Sequence, residues 1–253
     1  MAKIISAVAL SGGQGKTTLV FFLSLLLAEQ GNRVLAIDAN PQPDLTLYLG
    51  CELEPNDPSL LEVLTGKVTA DDAIYETSRE NLFILPADRA LSQANTYLSS
   101  SGTGASILKQ RLKTVRDEFD YILIDPQPSE SQISLSVVGA TEILIVPFEA
   151  TTKGHSSTID TLEFLDMRSQ LEAFNGQILG VVPFRDKWAG RNRTKESRQA
   201  IEDVAEMKGD LRMFPSIRES EPIKRCLSEG ELLTEGHDLQ YPFEQISEAL
   251  KNG

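Results

Sequence analysis

The chain alternates short runs that are apolar at every position with longer segments whose apolar residues return at helical spacing. Residues 4–10 read as a buried strand and residues 17–30 as a helix that is apolar nearly all round, closed by Gly31. Residues 34–37 form a second short buried strand, and further apolar runs follow at 82–85, 121–124, 143–146 and 178–182. Helical candidates lie near 105–118, 130–139, 155–173 and 194–207, with a last one near 239–250. Strands that are apolar throughout are covered on both faces, and their alternation with helices places them in parallel order. The pattern predicts an α/β fold: a doubly wound, mainly parallel sheet with helices on both faces. No repeat, low-complexity tract or linker interrupts it, and residues 99–104 read as a flexible loop or helix entry. Residues 1–253 are therefore expected to form a single domain.

Between the first strand and the first helix stands Ser11-Gly12-Gly13-Gln14-Gly15-Lys16-Thr17-Thr18. Such a junction is where backbone N–H groups and a helix N-terminus converge on a phosphate. Glycines let the backbone approach the oxygens and take up positive φ. The expected phosphate contacts are Gly12, Gly13, Gln14, Gly15, Lys16, Thr17 and Thr18, with Lys16 on the β- and γ-phosphates and the Thr17 hydroxyl on magnesium. A dinucleotide-binding loop has a different glycine spacing and needs no Lys-Thr pair. Asp38 follows the 34–37 strand and Asp125 the 121–124 strand. Strand carboxyl ends are where open α/β sheets bind ligands, and two acids there suit a magnesium ion that keeps several waters. Thr17, Asp38 and Asp125 are the candidate magnesium set, with ATP and Mg2+ as ligands; the other reading of each aspartate is a turn or helix cap.

These segments resemble the ParA/MinD family of deviant Walker A ATPases, whose phosphate loop reads Lys-Gly-Gly-x-Gly-Lys-Thr. Asp38-Ala39-Asn40-Pro41-Gln42 is similar to its Asp-x-Asp-Pro-Gln box, and the strand ending at Asp125 to its Walker B strand. Ser11 stands where the family has its first lysine, and Asn40 where it has a second aspartate. The resemblance spans nearly the whole chain. It implies hydrolysis of ATP to ADP and phosphate, with Asp38 positioning or polarising the attacking water and Asp125 acting on magnesium through a bound water. It further implies an ATP-loaded homodimer that binds non-specific DNA. A cargo adaptor, ParB-like or McdB-like, would stimulate hydrolysis in a cytoplasmic, nucleoid-associated system. The Ser11 loop is similar to that of the McdA branch, which distributes carboxysomes; a plasmid is the other cargo considered. A MinD-like basic amphipathic tail is not seen, and the acidic segment 241–251 is expected to pack on the domain. A metabolic ATP-dependent ligase or synthetase on the same fold stays open as the alternative.

Charge changes this picture in one place. The net formal charge of −13 excludes wholesale wrapping by nucleic acid, since phosphate neutralisation needs Lys and Arg. Yet Arg185, Lys187, Arg191, Arg193, Lys195 and Arg198 fall within fourteen positions whose only acids are Asp186 and Glu196, around the single tryptophan, Trp188. The stretch is a candidate DNA surface working through phosphate contacts, with Arg218 as an extension; a solvated face is its plain alternative. The charge missing at Ser11 is assigned to Lys153, acting across a dimer from the loop after the 143–146 strand, with Arg185 and Lys187 in reserve. No apolar run reaches the roughly 20 residues of a membrane span, and with the first strand beginning at Ile4 neither a secretory signal nor an N-terminal DNA-binding extension is expected. Cys51 and Cys226 lack metal-ligand spacing and read as reduced, structural thiols.

Overall fold

The computed structural model describes residues 1–102, 104–207, 209–233 and 237–252. In chain order its first half comprises β1 (Lys3–Ala7), α1 (Lys16–Glu29), β2 (Val34–Ala39), α2 (Asp44–Tyr48), α3 (Leu60–Thr65), β3 (Tyr75–Glu76), β4 (Leu82–Leu85), α4 (Ala94–Ser100), α5 (Gly104–Arg111) and β5 (Tyr121–Pro126). There follow α6 (Gln132–Ala140), β6 (Ile143–Glu149), α7 (Thr152–Gln170), β7 (Gln177–Asp186), β8 (Trp188–Ala189), β9 (Asn192–Arg193), α8 (Lys195–Met207), β10 (Ile217–Arg218), α9 (Glu221–Glu229) and α10 (Tyr241–Asn252). Eight strands form one sheet in the order β10-β7-β6-β1-β5-β2-β4-β3, parallel throughout except for β3, which runs antiparallel to β4. The doubly wound sheet expected from the sequence is the one observed.

Side chains alternate across each strand, so a strand buried on both sides feeds two cores. Ile5, Ala7, Val34, Ala36 and Leu123 pack on the α1 side, whereas Ile4, Leu35, Ile37, Ile122 and Ile124 pack against residues of α3 to α6. A third cluster joins Leu144, Val146 and Phe148 of β6 to Phe164 and Leu165 of α7 and Val204 of α8. The even apolarity of α1 has a direct cause: it is covered by the sheet on one side and by α10 on the other, with the Phe22 and Phe243 rings 4.7 Å apart. The last helix thus buries Phe243, Ile246 and Leu250 in the core.

Elsewhere the pattern needed correction. The helix expected over 105–118 stops at Arg111, and only a 3-10 turn at Arg116–Glu118 continues it. Within residues 99–104, Ser99 and Ser100 close α4, Ser101 and Gly102 turn the chain and Gly104 is the entry to α5, while Thr103 lies outside the described residues. The strand read over 178–182 runs on to Asp186, which brings Phe184, Arg185 and Asp186 to the carboxyl edge of the sheet. No helix among the described residues is long and apolar enough to cross a membrane.

Candidate nucleotide-binding site

The loop between β1 and α1 turns at two left-handed glycines, Gly13 (φ 78°) and Gly15 (φ 96°). Gly15 admits nothing else, because a Cβ there would collide with the Phe184 ring. A cleft of about 220 Å³ opens over this loop. Gly12, Gly13, Gly15, Lys16, Thr17 and Thr18 line it from the loop side, and Asn40, Gln42, Asp44 and Tyr48 from the segment after β2. Pro128, Phe184 and Arg185 complete the wall. Gln14, expected among the phosphate contacts, turns its side chain away: buried, it donates to the Gly12 carbonyl at 3.3 Å and accepts the Glu149 N–H at 2.8 Å. Its side chain joins the loop to the end of β6, leaving only its backbone for a ligand.

Lys16 is buried, and its Nζ donates to the Ser11 carbonyl at 3.2 Å. Burial lowers its ammonium to about 8, against the pull of the Asp125 carboxylate. Asp38 and Asp125 are register partners at the ends of β2 and β5, and both are buried. Asp125 accepts the Thr17 hydroxyl on Oδ2 at 2.7 Å, while its buried Oδ1 has no hydrogen-bond partner among the described residues. Asp38 accepts from the Asn40 N–H at 3.1 Å and from both the N–H and the hydroxyl of Thr46, at 2.9 and 2.8 Å. Burial first, and the neighbouring charge of Asp125 second, push the Asp38 carboxyl up to about 8 despite these donors. Burial likewise raises Asp125, to about 6, opposed by Thr17 and Lys16. Two buried acids whose charged forms are this unfavourable are set to receive positive charge.

The basic residues do not stay together. Arg185, assigned to a DNA surface by its neighbours in sequence, lines the phosphate cleft instead, and a Cβ on Gly13 would lie 3.7 Å from its Nη1. Arg193 is also withdrawn: it bonds the fully buried Asp186 through Nε at 2.9 and 3.0 Å and Nη2 at 2.9 Å. Asp186 further accepts from Trp188 Nε1 and the Ser216 hydroxyl, so Arg193 anchors the β8–β9 hairpin rather than offering a free charge. Arg218 lies over Trp188, 4.1 Å from the ring centroid, and both border a separate hollow of about 570 Å³ that contains no phosphate-loop residue. Lys187, Arg191, Lys195 and Arg198 remain exposed.

Lys153 stands exposed in the first turn of α7, where the Thr151 hydroxyl caps the helix by accepting the Gly154 N–H at 3.1 Å. Gly154 beside it packs on its own chain: a Cβ there would strike the Glu149 carbonyl. Sequence reasoning missed Thr46 and Asp186. Asp186 carried the signal that revealed Asp38 and Asp125, an acid closing a buried strand.

Comparison with known proteins places the chain among relatives of known kind. Residues 2–173 match the family described as AAA domain. The chain is 50% identical over 250 residues to the maintenance of carboxysome distribution protein A of Gloeothece citriformis, spanning 98% of this chain and 96% of that protein. It is 44% identical over 248 residues to the protein of the same name from Synechococcus elongatus, spanning 97% and 98%. The structure of a Cyanothece McdA D38A variant in complex with ATP, 49% identical, superposes with a TM-score of 0.96 over 99% of this chain and 96% of that one.

Proposed function

This chain belongs to the ParA/MinD family of P-loop ATPases, in its McdA branch, and we propose that it uses ATP hydrolysis as a switch for positioning a cargo, a carboxysome or similar body. The observation that carries the reading is the meeting of three groups at one sheet edge: the glycine loop with Lys16, the Thr17–Asp125 pair, and Asp38 in register with Asp125. Thr17 and Asp125 would hold Mg2+, directly and through water, and the unpartnered Asp125 Oδ1 suits such a water. The cation would neutralise phosphate charge.

Lys16 gives up the Ser11 carbonyl to bind the β- and γ-phosphates. Asp38 orients the attacking water, its place fixed by Thr46 and Asn40. Phosphoryl transfer is mainly positioning and charge stabilisation, so these few groups suffice. ATP bridges two copies of the chain into a dimer, whose paired surfaces bind non-specific DNA over the nucleoid with bivalent strength. An adaptor on the cargo stimulates hydrolysis and releases the dimer.

The test compares Lys16→Ala and Asp38→Ala. The first should lose ATP binding, and the second should bind ATP yet turn over slowly, remaining dimeric on DNA. Normal ATP affinity in Lys16→Ala would remove the phosphate-loop assignment; DNA binding that is equal with ATP and ADP would remove the switch.

A further inference from the structure

We propose that Arg185 contacts the nucleotide phosphates from within its own chain, supplying at the cleft a positive charge that the Ser11 loop lacks. The inference rests on the phosphate-loop reading above and starts from a backbone anomaly. Consecutive residues of a strand point to opposite faces. Phe184 and Arg185 nevertheless both meet the phosphate loop, the ring against Gly15 and the guanidinium beside Gly13. Arg185 achieves this with φ 50°, a left-handed conformation that a long side chain adopts only under constraint from its surroundings. Such outliers gather at ligand-binding positions, and this one lies in the wall of the cleft.

The guanidinium is also available. Its ion pair with Glu149 is long, 3.7 Å, between side chains 46% and 21% exposed, so exchanging it for a phosphate loses little. Its Cζ rests 5.5 Å from the Phe184 ring centroid, which steadies the head group above the loop. Arginine suits the task, being permanently charged and forked to match phosphate oxygens.

The experiment titrates wild type and the variants Arg185→Ala, Arg185→Lys, Arg185→Gly and Lys16→Ala with a fluorescent, non-hydrolysable ATP analogue, at protein concentrations that keep the chain monomeric. Arg185→Ala should weaken binding about tenfold or more, the worth of one hydrogen bond to a charged group. Arg185→Lys should recover part of it. Arg185→Gly should lose the same affinity while raising Tm by a few degrees, because glycine relieves the positive φ. Wild-type affinity in both Arg185→Ala and Arg185→Gly, with Lys16→Ala unable to bind, would overturn this inference alone. Retained binding in Lys16→Ala would instead overturn the phosphate-loop reading beneath it.

Discussion

Thr46 donates both its backbone N–H and its hydroxyl to a single oxygen of Asp38, at 2.9 and 2.8 Å, and its hydroxyl oxygen in turn accepts the Ala87 N–H at 3.1 Å. The acid at the end of β2 is thus held by α2 and by the segment after β4. Thr46→Val removes the hydroxyl and leaves the buried Ala87 N–H unpaired, which should cost about 1–3 kcal/mol of stability. Hydrolysis should slow by about tenfold with ATP affinity intact, and Thr46→Ser should restore both properties. Wild-type turnover in Thr46→Val would show that the Asp38 carboxylate needs no such clamp.

The titration of the two acids gives a pH dependence of definite sign. Both carboxyls are raised in the folded chain, Asp38 to about 8 and Asp125 to about 6, from the ordinary 3.8. The folded state therefore holds protons that the unfolded state has released. This contribution is complete below pH 3.8 and is lost as pH rises through about 6 and about 8. Nucleotide-free protein should lose stability over that window, each group contributing at most about 1.4 kcal/mol per pH unit. Asp38→Asn cannot ionise, so its denaturation midpoint should gain on the wild type between about pH 5 and 8. Parallel pH profiles for the two proteins would contradict the raised carboxyl.

Arg193 and Arg191, neighbours in the same basic stretch, now separate into different experiments. Arg193→Ala strips the buried Asp186 of its cation and should cost about 2–4 kcal/mol, somewhat below a fully buried pair because Arg193 is 29% exposed. Reversing Arg191, Lys195 and Arg198 to Glu should leave the fold and ATP affinity unchanged while weakening ATP-dependent DNA binding. The log–log salt slope should flatten by roughly 0.9 for each phosphate that is no longer neutralised. DNA affinity that survives the triple reversal would mark these residues as a solvated face.

What the sequence revealed and what it hid follow from the range of the interactions. Asp38 and Asp125 were legible because each interrupts a fully apolar run at a strand end, and the glycine loop because its spacing is local. Asp186 closes β7 in the same way, but Pro183 and Arg185 obscure the end of the apolar run. Arg185 was grouped with Lys187 and Arg191 by proximity in sequence. Only its left-handed backbone, which breaks strand alternation, turns it onto the phosphate loop. Thr46 could not be read at all, since its bond to Asp38 exists only once α2 folds back over the end of β2.

Ser11 brings no positive charge to the phosphate loop. In a dimer, a cation delivered to the partner's nucleotide can contribute about 10³–10⁵ in rate. Lys153 is exposed in the first turn of α7, a helix with no acid in that turn. A cation at a helix N-terminus is disfavoured by about 0.3–1 kcal/mol, so the position is poor for stability and calls for another use. The turn is also firmly placed: Thr151 caps it, Gly154 packs on Glu149, and the Glu149 N–H is held by Gln14 of the phosphate loop. Lys153→Ala should therefore preserve nucleotide binding by the monomer and raise helix stability slightly, while ATP-dependent dimerisation and hydrolysis both fail. Sedimentation with a non-hydrolysable ATP analogue, read beside steady-state turnover, checks both effects. A Lys153→Ala protein that dimerises and hydrolyses ATP normally would place the bridging charge elsewhere, with exposed Lys187 next to be tested.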